Sequence, residues 1–187
     1  MADNHTVELF IEKARLAGAS VRECPDLSVA VDYVCSVTDG PLALPAFSSA
    51  EHHDLTAKLQ GSGCRTLTDI LPSTVEQAAA GITGANFAIA ETGTVVLEST
   101  AEDIRLASTL PPIHFVLLDR RKIIVDSLEA NPLLRRFHQR QPTNYLAYIT
   151  GPSRTADIER VLTIGVHGPK ELHILLIDGY SDDPLEM

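Results

Sequence analysis

Three stretches in the second half of this chain carry residue types that can do chemistry, at spacings that chemistry uses. The first is Gly81-Ile82-Thr83-Gly84-Ala85-Asn86-Phe87-Ala88-Ile89-Ala90-Glu91-Thr92-Gly93-Thr94. Gly81 and Gly84 permit tight turns. The apolar run 87–90 then delivers Glu91 at a strand end, beside two hydroxyls and a glycine. A carboxylate placed there can act as base, nucleophile or ligand anchor. On that reading Glu91, Thr92, Gly93 and Thr94 line one wall of a pocket at the carboxyl ends of the strands, and Thr83 and Gly84 join them as ligand-binding residues. The plainer reading is a hairpin turn with solvated side chains, and pattern without further context favours it.

The second stretch is Asn144-Tyr145-Leu146-Ala147-Tyr148-Ile149-Thr150-Gly151-Pro152-Ser153-Arg154-Thr155-Ala156-Asp157-Ile158-Glu159. A buried strand breaks at Gly151-Pro152, and a helix is expected just after Ser153. A helix start offers free N–H groups and the positive end of the dipole. Ser153, Arg154 and Thr155 add donors, which makes a seat for a carboxylate or phosphate. The planar fork of Arg154 can hold two oxygens at once. Simple capping by Ser153 or Thr155, with Asp157 answering the dipole, is compatible with binding; Asp157 is grouped with the ligand-binding residues too. The third stretch, Ile164-Gly165-Val166-His167-Gly168-Pro169-Lys170, sets His167 between turn formers on a loop, with Gly168 beside it. An imidazole there can exchange protons near neutral pH, although a lone loop histidine is more commonly plain polar surface.

Other chemistries lack their patterns. Neither G-x-G-x-x-G nor G-x-x-x-x-G-K-[ST] occurs. Ser153 is not in a nucleophile elbow. His52 and His53 are adjacent and cannot share a helix face, and no metal-ligand spacing is present. His114 and His173 open strands and read as structural.

The elements that must position these residues alternate along the chain. Val7, Phe10, Ile11, Ala14 and Ala17 trace a helix that Gly18 can end. A short strand at 21–24 and a second helical stripe through Leu27, Ala30, Val31, Val34 and Cys35 follow. Residues 42–44 read as a strand. Ser48-x-x-Glu51, Ser73-x-x-Glu76 and Ser99-x-x-Glu102 have the form of capping boxes, so helices are expected near 49–60, 74–80 and 100–108. Strands at 87–90 and 95–97 form a hairpin. Strands at 114–118 and 123–125 flank a turn at 119–122, where Arg120-Arg121-Lys122 reads as a solvated basic corner. A helix lies within 127–139, and the last strands fall at 144–150 and 173–177. The runs 115–118 and 174–177 are apolar on both faces, as central strands are. The expected fold is therefore α/β, a mainly parallel or mixed sheet flanked by helices.

The 187 residues suit one domain, and 44% of them are apolar, enough for a sizeable core. A net charge of -10 opposes a phosphate backbone and argues against nucleic acid. No apolar run reaches a membrane span. The N-terminus lacks the order of a signal peptide. Three widely spaced cysteines, Cys24, Cys35 and Cys64, weigh against a disulfide framework, a zinc knuckle or a cluster held by this chain, and fit a reducing cytoplasm.

Together the three stretches resemble the LUD family, named for lactate utilisation, in order and spacing; Leu172-His173-Ile174-Leu175-Leu176-Ile177 resembles its last strand. The motifs cover the C-terminal half, and the N-terminal half agrees in length and pattern. With no cysteine motif, the resemblance is to the short LutC- or YkgG-type branch, not to the longer branch joined to a ferredoxin-like module. It implies a fold similar to the NagB, ribose-5-phosphate isomerase and CoA-transferase group. It implies a single LUD domain over 1–187, with 1–40 as its N-terminal helical region. It further implies a component of an iron–sulfur-dependent system that oxidises L-lactate to pyruvate, with a small anionic ligand. No cofactor is then bound by this chain alone, and the iron–sulfur clusters belong to partner proteins. Glu91 and His167 are the candidate catalytic residues. Ala90-Glu91-Thr92-Gly93 is distantly similar to the Ser-Glu-Asn-Gly turn that carries a glutamate in some CoA-transferases, with Ala and Thr in place of Ser and Asn. Two other classes stay open: an independent sugar-phosphate or acyl-CoA enzyme, and a non-catalytic anion-sensing or assembly module. Catalysis by this chain itself, the ligand, the electron acceptor and homo-oligomerisation stay open as well.

Overall fold

The computed structural model describes residues 3–141, 143–156, 162–164 and 167–187. In chain order the elements are α1 (Asn4–Leu16), β1 (Ser20–Cys24), α2 (Leu27–Val37), β2 (Leu42–Ala43), α3 (Ser48–His52), α4 (Leu55–Gly61), β3 (Thr66–Leu67), α5 (Pro72–Val75), β4 (Ala80–Gly84), β5 (Phe87–Ile89), β6 (Thr94–Glu98), α6 (Glu102–Thr109) and β7 (Ile113–Asp119). A 3-10 turn (Arg120–Lys122) leads to β8 (Ile123–Ile124), α7 (Ala130–Arg140), β9 (Leu146–Ile149), β10 (Arg154–Ala156), β11 (Leu162–Ile164) and β12 (Glu171–Ile177). Asp3 and Asp26 cap α1 and α2, accepting from the Thr6 and Val29 amides at 2.7 and 3.0 Å. Caps of this kind stabilise a helix by about 1 kcal/mol.

Among the described residues the main sheet has six strands in the order β1-β12-β7-β4-β2-β3, every neighbouring pair parallel. Its central strands are buried on both faces. Phe115, Leu117, Leu175 and Ile177 face Ala30, Val31 and Val34 of α2 and Leu59 of α4. Val116, Leu118, Ile174 and Leu176 face Phe10 and Ala14 of α1 and Ala88 and Val95 of the β5–β6 hairpin. Each such side chain stabilises the fold by about 1.5–3 kcal/mol through burial. The hairpin belongs to a second sheet, β8-β5-β6-β9, stacked over the first. The α/β fold with a mainly parallel sheet flanked by helices is thus the one the sequence implies.

Four expectations need correction. The serine caps do not form: Phe47 precedes α3, Leu71 precedes α5 and Ala101 precedes α6, none with a side-chain cap bond. Ser48 and Ser73 fall inside α3 and α5 instead of before them, and the Ser99 hydroxyl donates to the Tyr145 oxygen at 3.1 Å. The residues directly after Ser153 are not a helix start: 154–156 are β10, paired antiparallel with β11. Cys35 and Cys64 form a disulfide with Cα atoms 5.8 Å apart, because the end of α2 packs beside the end of α4. The cysteines therefore give no argument for a reducing compartment, and Cys24 is a buried free thiol. Lys122, expected in a solvated corner, is 3% exposed.

Candidate functional site

In the main sheet, β2 connects outward to the β3 edge, while β4, β7 and β12 step the other way. Between β2 and β4 the outgoing loops part, and a crevice must open at their carboxyl ends. The structure has one there, a cavity of about 220 Å³. Ala46, Phe47 and Ser48 after β2, and Asn86 after β4, form its floor, and Glu98, Arg140 and Met187 close its sides. Asn86, 1% exposed, accepts from the Glu98 amide at 2.6 Å and so ties β5 to β6. The Glu98 carboxylate is turned onto Thr100, accepting from its amide at 2.9 Å and from its hydroxyl. Gly84 leaves room for the chain's last residues: a Cβ there would lie 2.6 Å from the Met187 carbonyl carbon.

Behind the crevice, β7 ends in Asp119, which accepts from the Arg121 amide at 2.9 Å and from its guanidinium at 2.8 and 3.0 Å. Burial works to raise the Asp119 carboxyl, but these bonds and one from the Ser181 amide hold it below the usual carboxylate range. The tight turn swings Lys122 inward. Its ammonium donates to the Glu186 oxygen at 2.8 Å and to the Ala85 oxygen at 3.4 Å. Burial pushes its pKa down to about 8, against the pull of Asp119 and Glu186. Ser49 donates to the Met187 oxygen from its amide at 3.0 Å and from its hydroxyl. Tyr180 stacks on His53, and its hydroxyl is buried without a hydrogen-bond partner among the described residues. Burial raises that phenol far above its ordinary range, with the nearby Ser49 hydroxyl pulling weakly the other way. A buried ammonium, a serine with two donors and an orphan phenol are donors for an oxygen-rich anion.

The residues singled out in the sequence divide between the two ends of the sheet. Gly84 lies at the crevice. The β5–β6 hairpin runs back from it, so its turn at 91–94 reaches the opposite, amino end beside α1. Glu91 and Thr92 are exposed there, while Gly93 and Thr94 are buried. Thr92, Thr94 and Thr150 form a chain of hydroxyls at 2.7 and 2.8 Å. Thr83 is buried against His114 at 2.9 Å, and burial drives the His114 pKa down to about 3. Arg154 donates to the Ala17 oxygen at 2.6 Å, which commits it to the end of α1. Ser153, His167 and Gly168 do come together, lining a cavity of about 260 Å³ with Thr150 and His114. The Ser153 amide donates to the Pro169 oxygen at 2.9 Å. Thr155 lies in β10, and Asp157 falls outside the described residues. With β10 directly after Ser153, the dipole argument for an anion seat at 153–155 lapses. Among the described residues no three His, Cys, Asp or Glu side chains gather to hold a metal ion.

Arg140, which lines the crevice, and Ser49, Lys122 and Tyr180 beside it were not singled out as site residues in the sequence. Lys122 did carry a signal, since it sits between the apolar runs of β7 and β8 and a sharp turn must tuck one of three cations inside.

A family model described as the LUD domain matches residues 49–177. The chain belongs to the LUD-domain family. Among curated LUD relatives, lactate utilization protein C of Bacillus subtilis is 40% identical over 106 residues, 55% of this chain and 44% of that protein. Protein NMB1437 of Neisseria meningitidis is 43% identical over 98 residues, 52% of this chain and 42% of that one. YkgG of Escherichia coli is 28% identical over 176 residues, covering 89% and 71%. The first two matches span less than half of those relatives' own length. A crystal structure of a DUF162 family protein from Deinococcus radiodurans has the same fold, with a TM-score of 0.69 at 17% identity over 95% of this chain and 99% of that one. The matched region takes in β2's outgoing helix, β4, β7 and β12, so the LUD domain contains most of the crevice.

Proposed function

We propose that this LUD-domain chain is a component of a lactate-utilisation system that oxidises L-lactate to pyruvate beside iron–sulfur partner proteins, and that it binds a small carboxylate at the carboxyl ends of β2 and β4. The observation that carries the binding half is the switch-point crevice lined by Ser48, Asn86, Arg140 and Met187, next to which buried Lys122 and Ser49 hold the Glu186 and Met187 oxygens. Lactate and pyruvate are small carboxylates, and the relative in Bacillus subtilis bears the name lactate utilization protein C. The cluster chemistry is assigned to the partners. Two of the three cysteines here are bonded to each other and the third is buried by itself, which supports that assignment.

The test is lactate oxidation in extracts of the source cell with and without this chain, alongside a pull-down on the intact chain. Loss of oxidation on removal, restored by adding the chain back, and co-purifying iron–sulfur proteins are the expected results. Oxidation that proceeds unchanged without the chain overturns the proposal. Turnover of a sugar phosphate or acyl-CoA by the purified chain by itself would instead favour an independent enzyme.

A further inference from the structure

Ser153 and His167, which the sequence set apart, meet away from the crevice. With Thr150, Gly168 and His114 they line the cavity of about 260 Å³ at the amino ends of β7 and β12. The end of α6 covers it from one side, and β9 walls the other. Gly81 makes the cover possible: a Cβ there would lie 1.8 Å from the Ala107 oxygen, so α6 rests directly on β4. The Ser153 amide bond to the Pro169 oxygen, 2.9 Å long, ties the two rim loops together.

His114 lines this cavity and is 1% exposed, which sets it at the floor. Among the described residues the buried Thr83 hydroxyl has one acceptor, the His114 Nε2 at 2.9 Å. Buried hydroxyls give their proton to an acceptor. Thr83 therefore donates, and the ring proton sits on Nδ1. Nδ1 has no partner among the described residues, and it is the nitrogen left for the cavity. Burial keeps the ring neutral, with its pKa down to about 3. On the wall, Thr150 ends the hydroxyl chain that begins at exposed Thr92. Such a chain can reverse without moving net charge, so Thr150 donates or accepts as its neighbour requires. The glycine at 168 keeps the Ser153 hydroxyl clear, since a Cβ there would lie 3.3 Å from it. Among the described residues no Lys, Arg, Asp or Glu lines the cavity.

We infer that this cavity is a second ligand site, for a small uncharged alcohol or carbonyl compound whose oxygen accepts from His114 Nδ1 and is met at the wall by Thr150 and Ser153. Ile149, Leu172 and Pro169 take its carbon skeleton. A carboxylate would lie there against neutral donors, and a buried charge without a partner is costly. The volume falls just short of the roughly 300–1,000 Å³ of drug-sized pockets, which limits the ligand to about one ring. The site does not depend on the carboxylate reading of the crevice, which lies at the other ends of the strands.

The experiment titrates the full chain with 1-phenylethanol, acetophenone and 2-phenylpropanoate, related one-ring probes that end in an alcohol, a ketone and a carboxylate. The His114 ring is followed by long-range proton–nitrogen NMR, and affinities are read from the relaxation of the probes. The alcohol and the ketone should both move the Nδ1 resonance, and the carboxylate should bind about tenfold more weakly. His114→Leu should weaken both neutral probes about tenfold. Gly168→Val fills the rim beside Ser153 and leaves His114 in place; it should abolish binding, and it decides the matter if His114→Leu fails to fold. Neutral probes that leave Nδ1 unmoved, or that bind Gly168→Val as they bind the unsubstituted chain, overturn the site. Undiminished binding to folded His114→Leu overturns the polar floor. A carboxylate that binds as tightly as the alcohol overturns the uncharged class.

Discussion

The two ends of the parallel sheet are built on different principles. At the amino end, main chain touches main chain. Gly93, at φ 65°, lies where a Cβ would stand 2.2 Å from the Ala14 amide nitrogen, and Gly151, at φ 77°, where one would stand 2.1 Å from the Ala17 oxygen. Arg154 closes on the same turn of α1, and the Cys35–Cys64 bond fastens the approach to β2 and β3. At the carboxyl end the contacts are side-chain donors on carbonyl oxygens, around a cavity, with a charged group buried among them. The first end is closed by backbone packed on α1, beside the cavity of about 260 Å³ under Ser153 and His167. The second is held by side-chain donors on the oxygens of Ala85, Leu185, Glu186 and Met187. Glycines and serines in a turn are therefore ambiguous: here the glycines of the hairpin turn mark close packing, and the donors with room to act sit elsewhere.

The sharpest test of that contrast is Gly93→Ala. The new methyl meets backbone that cannot give way, and the positive φ adds strain, for a destabilisation of about 3 kcal/mol or more. A melt showing less than about 1 kcal/mol would mean the amino end is looser than described. Reducing the Cys35–Cys64 bond should lower stability by about 3 kcal/mol through the 29-residue loop it closes, read as a shift in urea midpoint with and without dithiothreitol. His114 gives the next effect. Its folded pKa of about 3 lies below the 6.5 of the free side chain, so protons bind the unfolded chain first. Its contribution to stability is complete above pH 6.5 and is lost as pH falls toward 3. Between pH 7 and pH 5 that is a loss of about 2 kcal/mol, and His114→Gln should flatten the slope of stability against pH by that amount. A slope that does not change places the acid sensitivity elsewhere.

The smallest effects bear on function. Arg154→Ala should cost about 1 kcal/mol of stability for the bond to Ala17. Glu91→Gln, on an exposed turn, should stay within about 0.5 kcal/mol. Both should leave carboxylate binding and lactate oxidation as they were. If either abolishes binding while the protein stays folded, the ligand sits at the amino end, and the roles of the two ends are reversed.

What the sequence made legible follows from the range of the interactions involved. The runs 115–118 and 174–177 announced central strands because both their faces are apolar, and that property is local. The 87–97 hairpin was legible for a similar reason, two strands joined by a turn-rich tetrad. Ser48 and Ser99 misled for different reasons: Ser48 falls inside α3 with Phe47 before it, and the Ser99 hydroxyl is claimed by Tyr145, far away in sequence. The stretch after Ser153 has the composition of a helix start, yet it pairs with residues 162–164, which no local pattern announces. The crevice was the least legible part. Ser49, Lys122 and Met187 meet only through the order of the strands, and each by itself is an unremarkable residue in an unremarkable turn.

The pairing of β1 with β12 also has a consequence for how the chain comes to be folded. Residues 20–24 lie between α1 and α2 near the start of the chain, yet their hydrogen-bond partners are residues 173–177. As the chain is made, β1 lacks its partner strand until residues 171–177 have emerged, and its amides stay uncovered for that time. β12 is the piece that joins β1 to β7, so a nascent chain stopped before residue 171 leaves two strands with open edges at once. Such long-range closure is slow and exposes the unfinished chain to aggregation. Aggregation of the nascent chain should therefore fall once β12 is released and joins β1 to β7.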